Sequence, residues 1–261
     1  MEIFNAIGLP IPKGKTLNDL AAAAEKLGEA SIYARPDCVL YGRCWHIGAG
    51  LEVWTILYES ENGETFYADC RPGFRAKYKQ NIEKWSLYED QKEGEAAVRG
   101  FIENRGAEVF FQLQNLTEVG TKNFDSEMLR VGLGGLAVCA EVLTAREEFL
   151  WQPLHEKTEN FHIEQTYQRL CGKVLSFESL RNPQSEKDLY WIHLELKDFD
   201  LEILVNQKDL RGGDLRGGLF VRADVWLQGH IVSKSTYYSS YEGVDWSAPT
   251  ADFWKKFKRQ N

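Results

Sequence analysis

Two stretches of this chain read almost alike. Gly134-Gly135-Leu136-Ala137-Val138-Cys139-Ala140-Glu141-Val142 and Gly217-Gly218-Leu219-Phe220-Val221-Arg222-Ala223-Asp224-Val225 are identical at six of nine positions, and Glu141 and Asp224 exchange one acid for another. Leu129-Arg130 and Leu215-Arg216 precede them. A repeat constrains a fold more than any local pattern, because each copy must build the same unit. Upstream, Arg99–Ile102 aligns with Cys171–Val174, and Phe111–Leu113 with Ile192–Leu194, at offsets of 72 and 81 against 83 for the last stretch. Insertions in connecting loops produce such drift at small entropic cost. The alternative is chance convergence of two amphipathic strands opened by Gly-Gly. The repeat predicts two similar β-units over 96–144 and 168–232, with the Gly-Gly pairs opening equivalent strands and Val138 and Val221 facing equivalent cores.

Local patterns agree with a β-rich chain. The clearest helix is predicted over 16–28: Thr16 caps it, Asp19 places acid in its first turn, and Leu17, Leu20, Ala21, Ala24 and Leu27 recur at helical spacing before Gly28. Strand signals follow at 51–58 and 65–69 across Asn62-Gly63, then at 98–102, 108–116, 129–143, 170–179, 189–196, 201–205 and 219–226. Gln228-Gly229 reads as a turn into a last short strand from His230. On 189–196, Tyr190, Ile192, Leu194 and Leu196 form the apolar face. Trp191 therefore lies outward beside His193, covered by a neighbouring domain or serving as a contact.

The predicted fold class is α+β, predominantly β. An N-terminal α+β region (1–90) precedes a β-barrel-like unit (91–150) and an OB-like unit (165–235), with an aromatic and basic segment at 236–261. The second unit resembles the OB-fold over roughly 168–235, on Gly172 in its first strand, the 189–196/201–205 hairpin and Val221–Trp226. It departs from that family in lacking a clear helix before the fourth strand, where only 206–210 is available. Asn182-Pro183 and Trp226-Leu227-Gln228-Gly229 make the chain similar to bacterial proteins without an assigned activity. The OB resemblance implies a ligand face on the second and third strands and their loops. Here that is Trp191, His193, Lys197, Arg181 and Asn182.

Composition narrows the partners. A net charge of -8 argues against a general nucleic-acid binder. Residues 71–85 nevertheless mix Arg71, Arg75, Lys77, Lys79 and Lys84 with Phe74, Tyr78 and Trp85, and 254–259 repeats the mixture. Such strips suit single strands of nucleic acid, or are packed amphipathic elements. No run approaches the about 18 apolar residues of a membrane span. Five cysteines and no basic-apolar leader predict reduced thiols and a cytoplasmic location.

Catalytic signatures are fragmentary. Cys70-Arg71-Pro72-Gly73-Phe74-Arg75 could hold a thiolate between two arginines, but it completes no known catalytic loop. Cys38, Cys44 and His46 lack the repeated close pairs of a zinc site, so no metal is predicted. Gly132-Leu133-Gly134-Gly135 lacks the spacing of a dinucleotide loop, and no cofactor is expected. The reading favours a non-enzymatic module that binds a protein or a polar polymer. The alternatives are an enzyme using Cys70 with Arg71 and Arg75, and a single-strand nucleic-acid binder.

Overall fold

The computed structural model describes residues 2–35, 38–60, 62–90, 93–119, 126–155 and 162–232. The basic segment 254–259 lies outside them. Among the described residues the chain is predominantly β, with one α-helix and two sheets. No described helix is long and apolar enough to cross a membrane.

The helix α1 spans Leu17–Leu27. Thr16 and Asp19 close a reciprocal capping box, and the Gly28 amide returns to the Ala24 carbonyl. Ala21 and Ala24 are its buried face, and their small side chains let it lie close on the first sheet. That sheet is an antiparallel meander of β1 (Glu29–Arg35), β2 (Cys38–Gly48), β3 (Leu51–Glu59) and β4 (Thr65–Phe74).

The larger sheet contains β5 (Gln80–Asp90), β6 (Glu95–Ile102), β7 (Glu108–Leu113), β8 (Met128–Leu143), β9 (Leu150–Pro153), β10 (Tyr167–Arg181), β11 (Asp188–Glu195), β12 (Asp200–Asn206), β13 (Leu210–Arg211) and β14 (Phe220–Ile231). Its pairings close on themselves twice. β5, β6 and β7 form one antiparallel meander, and β10, β11 and β12 another. β8 pairs antiparallel with β5 and parallel with β12, while β14 pairs antiparallel with β10 and parallel with β7. β8 and β14 also pair with each other. Each therefore joins the first strand of its own meander to the third strand of the other, and the two circuits share one central pair.

The expected repeat departs from the structure at its Gly-Gly starts and at Val138. β8 begins at Met128, well before Gly134-Gly135, whereas Gly217-Gly218 lie just outside β14. Val138 is the extra residue of a bulge between Ala137 and Cys139 and is 40% exposed, while Val221 is fully buried. The bulge displaces Val138 alone from the shared phase, since Ala140 and Val142 are buried like Ala223 and Val225. Gly135 sits mid-strand, where an added Cβ would press on Val225 and Ile203 at 3.0 and 3.2 Å. The turn expected at Gln228-Gly229 is also absent, since β14 runs unbroken through His230.

The core has two parts. Ile192, Leu194 and Leu196 join Val98, Phe111, Val131, Ile203 and Val221 in the larger cluster. Trp191 faces the other way and is still buried, among Phe4, Ile7, Leu51, Phe74 and Leu204. The N-terminal 3₁₀ turn at Glu2–Ile7 and the end of β4 share its cluster, and Lys77 and Tyr78 lie against its ring, so the outward tryptophan is roofed by the N-terminal region.

Candidate functional site

The face that the small sheet turns toward the larger one carries a polar cluster beside the apolar Leu40 and Ile56. Strand alternation places Cys44 and His46 of β2, Glu52 and Trp54 of β3, and Arg71 of β4 side by side, because Cys44 opposes Trp54, His46 opposes Glu52 and Arg71 opposes Trp54 in the ladders. The larger sheet answers with Gln112, Gln228 and His230, all buried.

Glu52 is the hub. Its Oε2 accepts from Trp54 Nε1 at 2.9 Å and lies 3.0 Å from His230 Nε2. Its Oε1 faces His46 Nδ1 at 3.0 Å and the guanidinium of Arg75. Arg75 reaches on to Glu118 at 3.2 Å. Burial alone would raise the Glu52 carboxyl, but Arg75 and the two histidines override it and hold it well below the usual carboxylate range. Burial lowers His230 to about 4 against the pull of Glu52, so this imidazole is neutral at pH 7. Cys44 Sγ, His46 Nδ1 and a Glu52 oxygen lie within 4.8 Å of one another, a donor set of metal-ligand type.

Beside this seam lies a pocket of about 380 Å³, lined by Tyr78, Lys79, Gln80, Asn81, Ile102, Glu103, Arg105, Leu133, His193, Phe199, Asp200 and Glu202. Tyr78 stacks on His193 with ring centroids 4.4 Å apart, yet remains 54% exposed. Glu202 forms part of the floor. It accepts from Trp191 Nε1 at 2.9 Å and from the Tyr78 amide at 3.0 Å, and burial pushes its carboxyl up to about 7. Burial also lowers His193. A second pocket, of about 460 Å³, includes Phe74, Arg75, Lys77, Glu178, Arg181 and Trp191 among its walls. There Lys77 Nζ lies 4.0 Å from the Trp191 ring centre and 2.7 Å from Glu178.

The residues singled out by sequence scatter among these features. Trp191 and Arg181 border the second pocket and His193 the first. Lys197 is exposed between β11 and β12 and lines neither. Asn182 is not an available ligand contact. It is fully buried, donates to the Ile7 carbonyl at 2.7 Å, and accepts the Gln184 and Ser185 amides. Its work is to hold the β10–β11 turn against the N-terminal 3₁₀ turn.

Cys70 sits in the opposite of a thiolate environment. Burial pushes its thiol up to about 12, and its neighbours include Asp69 as well as Arg71. Arg71 is itself buried and spent on Asp69 and the carbonyls of Gly94, Leu113 and Gln114. Arg75 is held by Glu52 and Glu118. Arg71, Phe74 and Arg75 of the 71–85 strip are thus turned inward, while Tyr78 and Trp85 stay open, Trp85 with Arg99 over its ring.

Sequence reasoning missed Glu52, Glu118, Glu202 and His230. The available signal was a single charge in an otherwise uncharged strand, Glu52 in 51–57 and Glu202 in 201–205. No protein-family model, curated protein or solved structure matches the chain.

Proposed function

We propose that the chain is a non-enzymatic binding module of OB-like construction whose ligand is a neutral polar polymer, an oligosaccharide segment. The observation that carries this reading is the pocket over β11 and β12, where the open ring of Tyr78 stands beside Gln80, Asn81, Glu103 and Asp200, above the buried Glu202. An aromatic platform edged by amides and carboxylates offers an apolar face to a sugar ring and hydrogen-bond partners to its hydroxyls. Glu103, Asp200 and Glu202 set against Lys79 and Arg105 make the lining unsuited to a polyphosphate chain, in keeping with the charge of -8. Two closed five-strand circuits support the OB-like reading, and β11 and β12 are the second and third strands of one of them. Free thiols at Cys44, Cys70, Cys139 and Cys171 fit a reducing, cytoplasmic setting.

The test is calorimetric titration of the full chain with short neutral glucan and chitin oligosaccharides, alongside a single-stranded oligonucleotide. The expected result is saturable binding of one sugar series, lost in Tyr78→Ala and Asn81→Ala while both variants keep the circular dichroism spectrum of the folded chain, both positions being exposed. Oligonucleotide binding that depends on Tyr78, or no sugar binding at all, would overturn the proposal.

A further inference from the structure

The hairpin of β2 and β3 brings together three side chains that the function proposed above does not use. Cys44 and His46 are two residues apart on β2 and share a face, and His46 stands directly opposite Glu52 on β3. His46 Nδ1 is 3.7 Å from Cys44 Sγ and 3.0 Å from Glu52 Oε1, and all three donor atoms lie within 4.8 Å. Tetrahedral zinc holds its ligands at about 2.0–2.3 Å, which sets neighbouring ligand atoms roughly 3.3–3.8 Å apart. The Cys44–His46 pair already stands at that spacing, the His46–Glu52 pair is slightly closer, and the third separation is within 4.8 Å, so small side-chain shifts complete the set.

We propose that Cys44, His46 and Glu52 form a binding site for a borderline-soft divalent cation, with zinc as the ion of choice. The donor set selects the class of metal. Thiolate with imidazole suits zinc or cobalt, whereas calcium and magnesium require oxygen cages. The charges close: thiolate and carboxylate supply two negative charges against the two positive ones of the ion. Zinc enters where the His46 ring now meets Oε1, and the thiol proton leaves because a coordinating thiol is deprotonated outright.

The surroundings are those of a supported site. Trp54 and His230 hold the other oxygen of Glu52, fixing the carboxylate as outer-shell partners do. Arg75, which also donates to Glu52 Oε1, keeps Glu118 as its second carboxylate when that oxygen takes the ion. Glu52 and Cys44 are 1% exposed, while the His46 side chain is 29% exposed, so the ion has an entry on the histidine side. Three protein ligands leave one position for a water.

The experiment strips the full chain of metal with a chelator and titrates it with cobalt(II), followed by displacement with zinc. The expected result is one cobalt per chain, with visible bands of a tetrahedral ion and a near-ultraviolet thiolate-to-cobalt charge-transfer band. Cys44→Ser abolishes that band and weakens zinc by at least on the order of 100-fold, more than loss of an outer-shell partner. Cys70→Ser and Cys139→Ser retain it. Because Cys44 is buried, His46→Ala at the partly exposed position is the second variant, expected to lose affinity with an unchanged circular dichroism spectrum. An absent charge-transfer band in the unaltered chain, a band that survives Cys44→Ser, or unchanged zinc affinity in folded His46→Ala would each overturn the assignment.

Discussion

Replacing Glu202 with glutamine tests the electrostatics of the pocket floor. Glu202 is 1% exposed, and burial raises its carboxyl from 4.5 to about 7. The folded state thus holds the proton more tightly than the unfolded state. The stabilising effect of that proton is complete below about pH 4.5, fades as pH rises through 7, and is gone above it. A rise of this size is worth ~3 kcal/mol at 1.4 kcal/mol per pH unit. Glutamine does not titrate. It does place an amide NH₂ against one of two donors, Trp191 Nε1 or the Tyr78 amide, at a cost of about 1–3 kcal/mol that is the same at every pH. The variant should therefore be the less stable protein at pH 4.5 and should gain ~3 kcal/mol on the unaltered chain by pH 8, closing or inverting the gap. Other groups titrate in both proteins and drop out of the difference. Urea unfolding of the two proteins at stepped pH values measures it directly. A gap that stays constant from pH 4.5 to 8 would refute the reasoning, since it would mean that the Glu202 carboxyl titrates alike in the folded and unfolded chains.

Glu52→Gln in chelator-treated protein should lose about 3–5 kcal/mol in urea unfolding, because it leaves Arg75 and a set of donors buried around an uncharged amide; a loss below ~1 kcal/mol, the scale of an exposed pair, would count against a tightly coupled hub. Gly42→Ala should cost about 1–3 kcal/mol or more. Its added Cβ would overlap Thr117 Oγ1 and come within 2.6 Å of Ser31 Oγ, two hydroxyls now hydrogen-bonded at 2.7 Å, and an unchanged Tm would show that this contact yields freely. At pH 8, iodoacetamide followed by peptide mass spectrometry should label the exposed Cys139 and spare Cys70, whose thiol is held near 12; rapid labelling of Cys70 in folded protein would revive the thiolate reading.

Much of the strand inventory was legible because it depends on neighbours in the chain. The Thr16–Asp19 capping box, the Asn62-Gly63 hairpin and the apolar phase of Tyr190, Ile192, Leu194 and Leu196 are set by hydrogen bonds and side-chain period over a few residues. The first sheet was read less fully. β1 and most of β2 carry mixed polar and apolar residues, since their inward face joins the core at Tyr33 and Leu40 but meets a buried polar cluster at His46. β5 was hidden inside a stretch that its cations made look like a surface strip. Arg71 and Arg75 belong to the interior because Asp69, Glu52 and Glu118 wait there, and charge in sequence says nothing about which side of a sheet it will face.

The candidate sites were the least legible part for the same reason. Cys44 and His46 are two residues apart in sequence, but Glu52 joins them only through the register of the β2–β3 ladder. His230 reaches Glu52 from a strand 178 residues away. The pocket joins the segment after β4 to β11 and β12. By itself the sequence determined the helix, most strands and their inward faces, all consequences of local period and capping. The tertiary structure alone decided that β8 and β14 are shared between two circuits, that Trp191 is roofed, and which acids and cations meet in the seam. Those outcomes depend on strand pairing across long separations, where the free energy lies in closing the sheets and satisfying buried charge together rather than in any one segment.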